Sequence, residues 1–330
     1  MGLILDSKLT FESHVNEKLA KARKGIGIIK YISAYVPIKT LDQIYKMYVR
    51  PHLDFCDVIY HVPKIHSVFN SSFRLVGLME RIERVQYQAA LAITGAWKGT
   101  SLNKIYDELG WETLTDRRWF HRLVQFYKIR NGLTPQYLIN PLPTIRVNRY
   151  NTRSDKEFPE IKCRKTSYMN SFYPNSVKIW NEIGPEHRQV RSLNEFKSKI
   201  LNKIRPPKKS VFNIHDPVGI KRLFQLRVGL SPLNEHKKRH NFNDTPSDMC
   251  HCEIRHETTD HFLLTCDLYI DARRDLFEVV NPIIESSNLL MRDNIQLVNL
   301  LLYGHEKLCE RDNYKVINAT LKFIQNTGRF

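Results

Sequence analysis

Three cysteines and one histidine constrain the fold of the last third of this chain more than any other feature. Cys250, Cys252, His261 and Cys266 follow the pattern Cys-x-Cys-x8-His-x4-Cys. Three thiolates and one imidazole complete a tetrahedral zinc site that has no open position for a substrate. We therefore expect one structural Zn²⁺ ion and a small zinc knuckle over residues 250–266, with no catalytic role for the metal.

The spacing of these residues indicates how a short segment can surround one ion. Residues two apart in an extended chain point to the same side, so Cys250 and Cys252 can bind together. The Thr-Thr pair before His261 can cap a short helix that carries this histidine and ends near the last cysteine. His251 and His256 lie in the same segment, and either can replace His261 as the fourth ligand.

The composition is that of a folded protein from a reducing compartment. The chain has 330 residues, of which 42% are hydrophobic and 11% aromatic, so it can bury substantial cores. Its six cysteines are too few for a disulfide scaffold, which favours an intracellular location, cytoplasmic, nuclear or both. No stretch approaches the roughly 18 apolar residues of a membrane-spanning helix, so we expect no membrane association.

Positive charge is concentrated before residue 267. Lys and Arg number 51 against 34 Asp and Glu, which gives a net charge of +17. Residues 267–330 contain eight basic and nine acidic residues, so the remainder of the chain carries the whole excess. This imbalance indicates a surface that binds a polyanion, RNA or DNA, whereas the last segment is typical of a neutral helical cap.

Apolar residues recur at helical spacing through most of the chain, which predicts a mainly α-helical fold. Proline and cap residues set the expected ends of the helices. We expect helices over residues 11–34, 40–48 with Thr40 as N-cap, 50–60, 75–97, 101–109, 114–130, 176–181, 192–204, 217–230, 268–280, 294–303 and 312–325, and a short strand at 3–6.

Composition divides this pattern into three parts, which predicts a multi-lobed helical bundle. Residues 1–140 form a helical region, and residues 141–210 a loop-rich basic connection with short helices. Residues 211–330 form a helical C-terminal domain that contains the zinc knuckle. The connection includes Arg146, Arg149 and Arg153 and ends in a basic linker, Arg205-Pro-Pro-Lys-Lys-Ser210.

The sequence lacks the residue patterns of common catalytic sites. It contains no Asp-Asp dipeptide, no Walker loop, no His-Glu-x-x-His and no Gly-x-Ser-x-Gly. Asp54 and Asp57 lie one helical turn apart, but their apolar helix favours a structural role. Two-metal synthesis or cleavage of a polynucleotide needs clustered carboxylates. We therefore expect no enzymatic activity from this chain alone.

Several stretches resemble the part of LINE-type non-LTR retrotransposon reverse transcriptases that follows the polymerase palm. Residues 3–14 (LILDSKLTFESH) resemble the segment after the palm, and residues 39–60 (KTLDQIYKMYVRPHLDFCDVIY) resemble the thumb helices. Residues 80–95 (ERIERVQYQAALAITG), 171–181 (SFYPNSVKIWN) and 192–197 (SLNEFK) are similar to later regions of these proteins. The Cys/His cluster corresponds to their late knuckle.

The resemblance implies descent from an RNA-directed DNA polymerase, with a thumb-like fold for residues 1–140. Residue 1 falls near the end of the palm, and the aromatic-x-Asp-Asp motif of the family is absent from this sequence. The resemblance therefore implies a truncated, non-catalytic remnant that binds nucleic acid. The alternatives are a zinc-stabilised scaffold for protein partners of unknown identity, and a truncated open reading frame without function.

In the family, the thumb grips a template–primer duplex, which implies contacts between basic residues and phosphate groups. We expect such contacts from basic residues on the helices of the first region and just before the knuckle. They are Lys21, Lys24, Arg81, Arg84, Arg117, Arg118, Lys237, Lys238 and Arg239.

Overall fold

The fold is mainly α-helical, as the sequence predicts, with a small Cys/His cluster. A computed structural model describes residues 2–61, 73–145, 156–204, 214 and 216–330. Arg146, Arg149, Arg153 and the predicted linker at 205–210 lie outside these residues. No helix in the described ranges is long and apolar enough to cross a membrane.

The chain forms two compact units, each assembled from three segments. The first unit comprises Met1–Gly25, Lys46–Tyr87 and Gly110–Pro207, and the second comprises Ile26–Tyr45, Gln88–Leu109 and Lys208–Phe330. The division of the sequence into residues 1–140, 141–210 and 211–330 stays a prediction.

Helices account for most of the described chain. In the first 145 residues they are α1 (Glu12–Ile32), α2 (Ile38–Ile44), which continues as a π-helix (Tyr45–Val49), α3 (Arg50–Asp54), α4 (Asp57–Tyr60), α5 (Phe73–Thr94), α6 (Leu102–Leu109), α7 (Leu114–Arg130) and α8 (Gln136–Ile139). Those that follow are α9 (Thr166–Met169), α10 (Phe172–Glu182), α11 (Pro185–Arg188), α12 (Leu193–Ile204), α13 (Pro217–Val228), α14 (Asn234–Arg239), α15 (Ile270–Ser286), α16 (Asn294–Tyr303) and α17 (Glu310–Asn326).

The core of the first unit lies around α7, against which α10 and α12 pack. Four buried aromatic side chains meet there: the ring centroids of Phe126 and Trp180 are 5.3 Å apart, and those of Tyr127 and Phe196 are 4.5 Å apart. The Trp180 indole N–H donates to Glu157 Oε2 at 2.9 Å. The Tyr127 hydroxyl donates to Val190 O at 3.1 Å, so the cluster buries aromatic surface with both of its polar groups satisfied.

The core of the second unit lies between α13 and the C-terminal helices. Helices α15 and α16 both pack on α17, and so does α13. Phe262 joins the Cys/His segment to this core, because its ring centroid lies 5.2 Å from that of Phe323 and 5.5 Å from that of Phe330. The segment is thereby fixed on α17.

The prediction of a strand at residues 3–6 is wrong, because this segment turns back onto the start of α1. The Ile4 N–H donates to His14 Nδ1 at 3.3 Å. The Asp6 carboxylate accepts from the backbone N–H of Thr10 at 3.0 Å and of Phe11 at 2.8 Å. Ile4 thus donates to a side chain of α1 instead of a neighbouring strand, and Asp6 satisfies two backbone donors just before this helix.

Several predicted helix limits are also wrong, and three of them show why. Helix α2 begins at Ile38 with Pro37 as its N-cap residue, so Thr40 caps nothing. The helix expected over residues 50–60 is broken at Cys56, whose φ of 59° is left-handed. Helix α15 continues through Pro282 to Ser286, beyond the predicted end at residue 280.

Candidate metal centre

The four residues of the Cys/His cluster come together in the second unit. One ligand atom from each of Cys250, Cys252, His261 and Cys266 lies within 4.8 Å of the others. The Sγ atoms of Cys250 and Cys266 are 3.6 Å apart, and Cys252 Sγ is 3.3 Å from His261 Nε2. These spacings are close to the roughly 3.6–3.8 Å that separates tetrahedral ligands with metal bonds of about 2.0–2.3 Å. The group is therefore arranged to hold a metal ion.

The knuckle predicted over residues 250–266 also includes Met249 in the structure, and the name is used below for residues 249–266. It begins with a tight turn, in which Met249 and His256 form an isolated antiparallel bridge and the Cys250 N–H donates to Arg255 O at 2.9 Å. Glu253 turns the chain with a φ of 61°. This turn presents the first two thiols.

The second half of the knuckle is a short π-helix, His261–Thr265, that ends at Cys266. The Thr258 hydroxyl accepts from the His261 N–H at 3.3 Å, so the expected threonine cap is present. The Cys266 N–H donates to His261 O at 2.8 Å. This wide turn brings the imidazole and the last thiol to the same side of the helix.

Backbone donors and burial act in opposite directions on the thiols. The pKa of Cys252 is lowered, chiefly by a hydrogen bond from the Ile254 backbone N–H. Burial raises the pKa of Cys250 to about 12, and burial also raises that of Cys266. A cation bound among the three sulfurs stabilises their thiolate forms. A metal ion would therefore lower the pKa values that burial raises.

His261 is oriented for binding through Nε2. Its Nδ1 lies 3.0 Å from the Thr265 hydroxyl, so this nitrogen has its own partner and Nε2 faces the sulfurs. Burial lowers the pKa of His261, which favours the neutral imidazole that binds metals. His256 Nδ1 instead lies 3.1 Å from Asp248 Oδ2, and His251 is exposed. Neither belongs to the cluster.

Two arginines that the sequence gives no reason to single out hold the knuckle in place. Arg273 donates to Leu263 O at 3.1 Å and to Cys266 O at 2.6 Å. Arg329 donates from Nε and Nη2 to the two carboxylate oxygens of Glu257, at 2.6 and 2.7 Å. A basic residue that reaches a carbonyl across a turn has no sequence signature, so only the fold reveals it.

Glu257 also ties the knuckle to α14. Its carboxylate is fully buried and accepts from the Asn234 N–H at 2.6 Å. The Asn234 amide donates to Met249 O at 2.7 Å, and His236 Nε2 lies 3.3 Å from the Thr259 hydroxyl. Helix α14 is therefore fixed to the knuckle by hydrogen bonds at its N-terminal end.

The three basic residues predicted beside the knuckle lie on α14 and have acceptors within the protein. Lys237 pairs with Asp244 at 3.0 Å, and Lys238 donates to Pro246 O at 3.0 Å. Arg239 pairs with Glu235, and 57% of its side chain stays exposed. These contacts lie at the surface, where exchange for another anion costs little.

Four of the basic residues predicted in the first region lie at the surface of the first unit. Lys24 and Arg84 are exposed. Lys21 pairs with Glu17 at 2.5 Å, and Arg81 contacts Glu12 and Asn16. All four belong to α1 or α5.

The prediction that Arg117 and Arg118 contact phosphate groups is wrong, because each is only 2% exposed. Arg117 donates to Asp54 Oδ1 at 2.9 Å and to Gln86 Oε1 at 3.0 Å. Arg118 donates to Leu53 O at 2.8 Å. Their partners are other parts of the first unit, so neither guanidinium is available at the surface for a phosphate contact.

Comparisons of this chain with protein-family models, with curated proteins and with solved structures give no match.

Proposed function

We propose that α14 and the knuckle form a zinc-stabilised module that binds RNA or DNA. The observation that carries this proposal is the closed group of three thiols and one imidazole, hydrogen-bonded to a helix that ends in Lys237-Lys238-Arg239. The metal-binding group makes the knuckle rigid. Helix α14 is hydrogen-bonded to the knuckle and carries the basic side chains.

Zinc is the metal that this donor set favours. Thiolate sulfur and imidazole nitrogen suit Zn²⁺, whereas Mg²⁺ and Ca²⁺ prefer oxygen donors. Cys250, Cys252 and Cys266 would bind through Sγ, and His261 through Nε2. Binding of the ion supplies folding free energy to a turn that has only one backbone bridge of its own. With all four positions taken by protein, the ion has a structural role.

The charge of the chain supports nucleic acid as the ligand. The net charge of +17 favours binding to a polyanion, and phosphate contacts need flexible cationic groups at the surface. In the second unit, Lys238 and Arg239 are exposed and Lys237 is partly exposed. In the first unit, Lys21, Lys24, Arg81 and Arg84 are further candidates.

The resemblance to LINE-type reverse transcriptases supports the same assignment. We propose that this chain is related to the part of those proteins that follows the palm, and that its ancestral role is to hold nucleic acid. We assign it no reaction of its own. Incorporation of nucleotides by the purified chain on a primed RNA template would contradict that assignment.

Fluorescence anisotropy with a labelled RNA of about 20 nucleotides tests the proposal. For the zinc-loaded chain, we expect the logarithm of the association constant to fall linearly with the logarithm of salt concentration, by about 0.7 per phosphate contact. The triple variant Lys237→Gln/Lys238→Gln/Arg239→Gln should reduce this slope by roughly 2.

A matched control removes the same charge elsewhere in the second unit. Arg274, Arg311 and Lys315 are exposed residues of α15 and α17, and the triple change to Gln should leave the slope unchanged. Equal losses in the two triple variants would show that net charge alone drives binding. Undetectable or salt-independent binding would reject the proposal and favour a protein-interaction scaffold.

A further inference from the structure

We propose a second binding site, for a small phosphate-bearing molecule with a flat apolar body such as a nucleoside monophosphate. The site is the cleft formed by the loops on either side of α16, and we call it the α16 cleft. Its volume is about 450 Å³, within the range of about 300–1,000 Å³ that is typical of small-molecule sites. It is independent of the function proposed for the knuckle.

The charge of the cleft favours an anion. Arg292 from one loop and Lys307 from the other line it, and none of its lining residues is Asp or Glu. Neither of these two side chains has a hydrogen-bond or ion-pair partner among the described residues. Among the other basic side chains of residues 267–330, Arg273 and Arg329 are held by carbonyl and carboxylate groups of the knuckle, and Arg274 and Lys315 form surface pairs.

A third donor comes from His305, which also lines the cleft. The Lys307 backbone N–H donates to His305 Nδ1 at 3.1 Å. In the neutral ring the proton therefore resides on Nε2, which can donate a hydrogen bond to an anion. A guanidinium, an ammonium and an imidazole N–H around one cleft are the groups that bind a phosphate monoester.

The loop that carries His305 and Lys307 is held in shape by Asn313 of α17. Asn313 Oδ1 accepts from the His305 N–H at 2.8 Å, and its Nδ2 donates to His305 O at 3.0 Å and to Leu308 O at 3.1 Å. Gly304 has a φ of 73°, and a Cβ there would collide with Asn313. This loop of the cleft is therefore held in shape before a ligand binds, which lowers the entropic cost of binding.

The apolar and amide groups that line the rest of the cleft favour a ligand larger than a free phosphate ion. Leu289 and Leu300 are buried under the cleft, and Leu290 at its rim is 80% exposed. Asn288 and Asn299 add amides to the lining. Apolar surface beside amides suits a nucleobase, since an asparagine amide can form two hydrogen bonds with the edge of adenine.

Calorimetric titration of the zinc-loaded full chain with AMP, adenosine and inorganic phosphate tests the proposal. We expect AMP to bind at least about tenfold more tightly than either of the others, because only AMP engages both the cationic groups and the apolar wall. Equal affinity for adenosine would overturn the anion site, and equal affinity for inorganic phosphate would overturn the nucleotide assignment. No binding of AMP would overturn both.

Single substitutions locate the site. Arg292→Gln and Lys307→Gln should each lower AMP affinity about tenfold, since each removes one charge-assisted contact. The control, Arg274→Gln, removes one charge from exposed α15 and should leave AMP affinity unchanged. AMP affinity unaffected by Arg292→Gln and Lys307→Gln, or lowered instead by the triple Gln variant of α14, would place AMP elsewhere and contradict the α16 cleft.

Discussion

At the scale of single residues, the structure places His261, the predicted fourth ligand, beside the cysteine sulfurs, and neither of the alternatives His251 and His256 belongs to the group. His251, His256 and His261 all lie within the knuckle, but only His261 has its Nε2 near a cysteine sulfur. The Thr265 hydroxyl holds its other nitrogen, whereas Asp248 takes that place at His256. His261 and His256 thus differ in the partner of Nδ1, a hydroxyl in one and a carboxylate in the other.

The substitution His261→Asn should weaken zinc binding by more than about 100-fold, because loss of a ligand costs more than the 10–100-fold loss of a partner behind it. His256→Asn, in the same turn, should leave the affinity within a few-fold of the original. Competition with a chromophoric chelator measures both. A larger loss for His256→Asn than for His261→Asn would mean that the fourth ligand is misassigned.

At the scale of elements, α7 shows what a sequence pattern can and cannot reveal. Its limits were predictable because Thr113 caps its first turn and Gly132, with a φ of 69°, follows its last. The sequence did not reveal that three of the arginine side chains of α7 point into the core. Arg117, Arg118 and Arg122 look like a solvated face, but their acceptors lie more than 30 residues away along the chain.

The same limit applies to other elements. Cys56 adopts a left-handed backbone without being glycine, and nothing in the neighbouring sequence indicates this break between α3 and α4. At the candidate metal site, by contrast, all four residues were predictable, because ligand type and spacing are local. Arg273 and Arg329 were not, since the carbonyl and carboxylate groups that they contact are brought near only by the fold.

The inward direction of Arg117 makes Asp54 important for the stability of the first unit. The side chain of Arg117 is 3% exposed, and Asp54 Oδ1 lies 2.9 Å from its Nε. Burial raises the pKa of Asp54, but the charges of Arg117 and Arg50 outweigh it and leave this pKa below its ordinary value. The carboxylate is therefore ionised where it meets the guanidinium.

Asp54→Asn should lower the free energy of unfolding by about 3 kcal/mol, because it removes the negative partner of a buried cation. Glu12→Gln is the matched control, since it removes the carboxylate of an exposed pair with Arg81 and should cost less than about 1 kcal/mol. Urea unfolding at neutral pH gives both values. Similar small losses would show that Arg117 does not depend on Asp54.

At the scale of the whole molecule, the balance of charge makes acid conditions unfavourable. The chain already carries +17 with its 13 histidines neutral, so each proton added increases self-repulsion. Each compact unit is assembled from three segments that are far apart in the sequence, and no local sequence pattern predicts this assembly. A buried histidine that stays neutral in the folded chain adds to this loss of stability at low pH.

His61 makes the stability of the first unit depend on pH. It is buried, and burial together with the charges of Arg118 and Arg122 holds its pKa well below the ordinary value. The unfolded chain takes up a proton at His61 below about pH 6.5, whereas the folded chain does not. Protonation therefore favours the unfolded state, so stability is full above this pH and is lost as the pH falls toward the folded pKa.

We expect His61→Gln to reduce the slope of unfolding free energy against pH, below about pH 6.5, by up to about 1.4 kcal/mol per pH unit. Urea unfolding followed by tryptophan fluorescence measures this slope, and three of the four tryptophans, Trp111, Trp119 and Trp180, report on the first unit. His240→Gln is the control, because it removes an exposed histidine of the second unit. The slope is the decisive quantity, since the loss of a buried ring lowers stability at every pH. Equal slopes for the two variants would show that His61 is protonated in the folded chain.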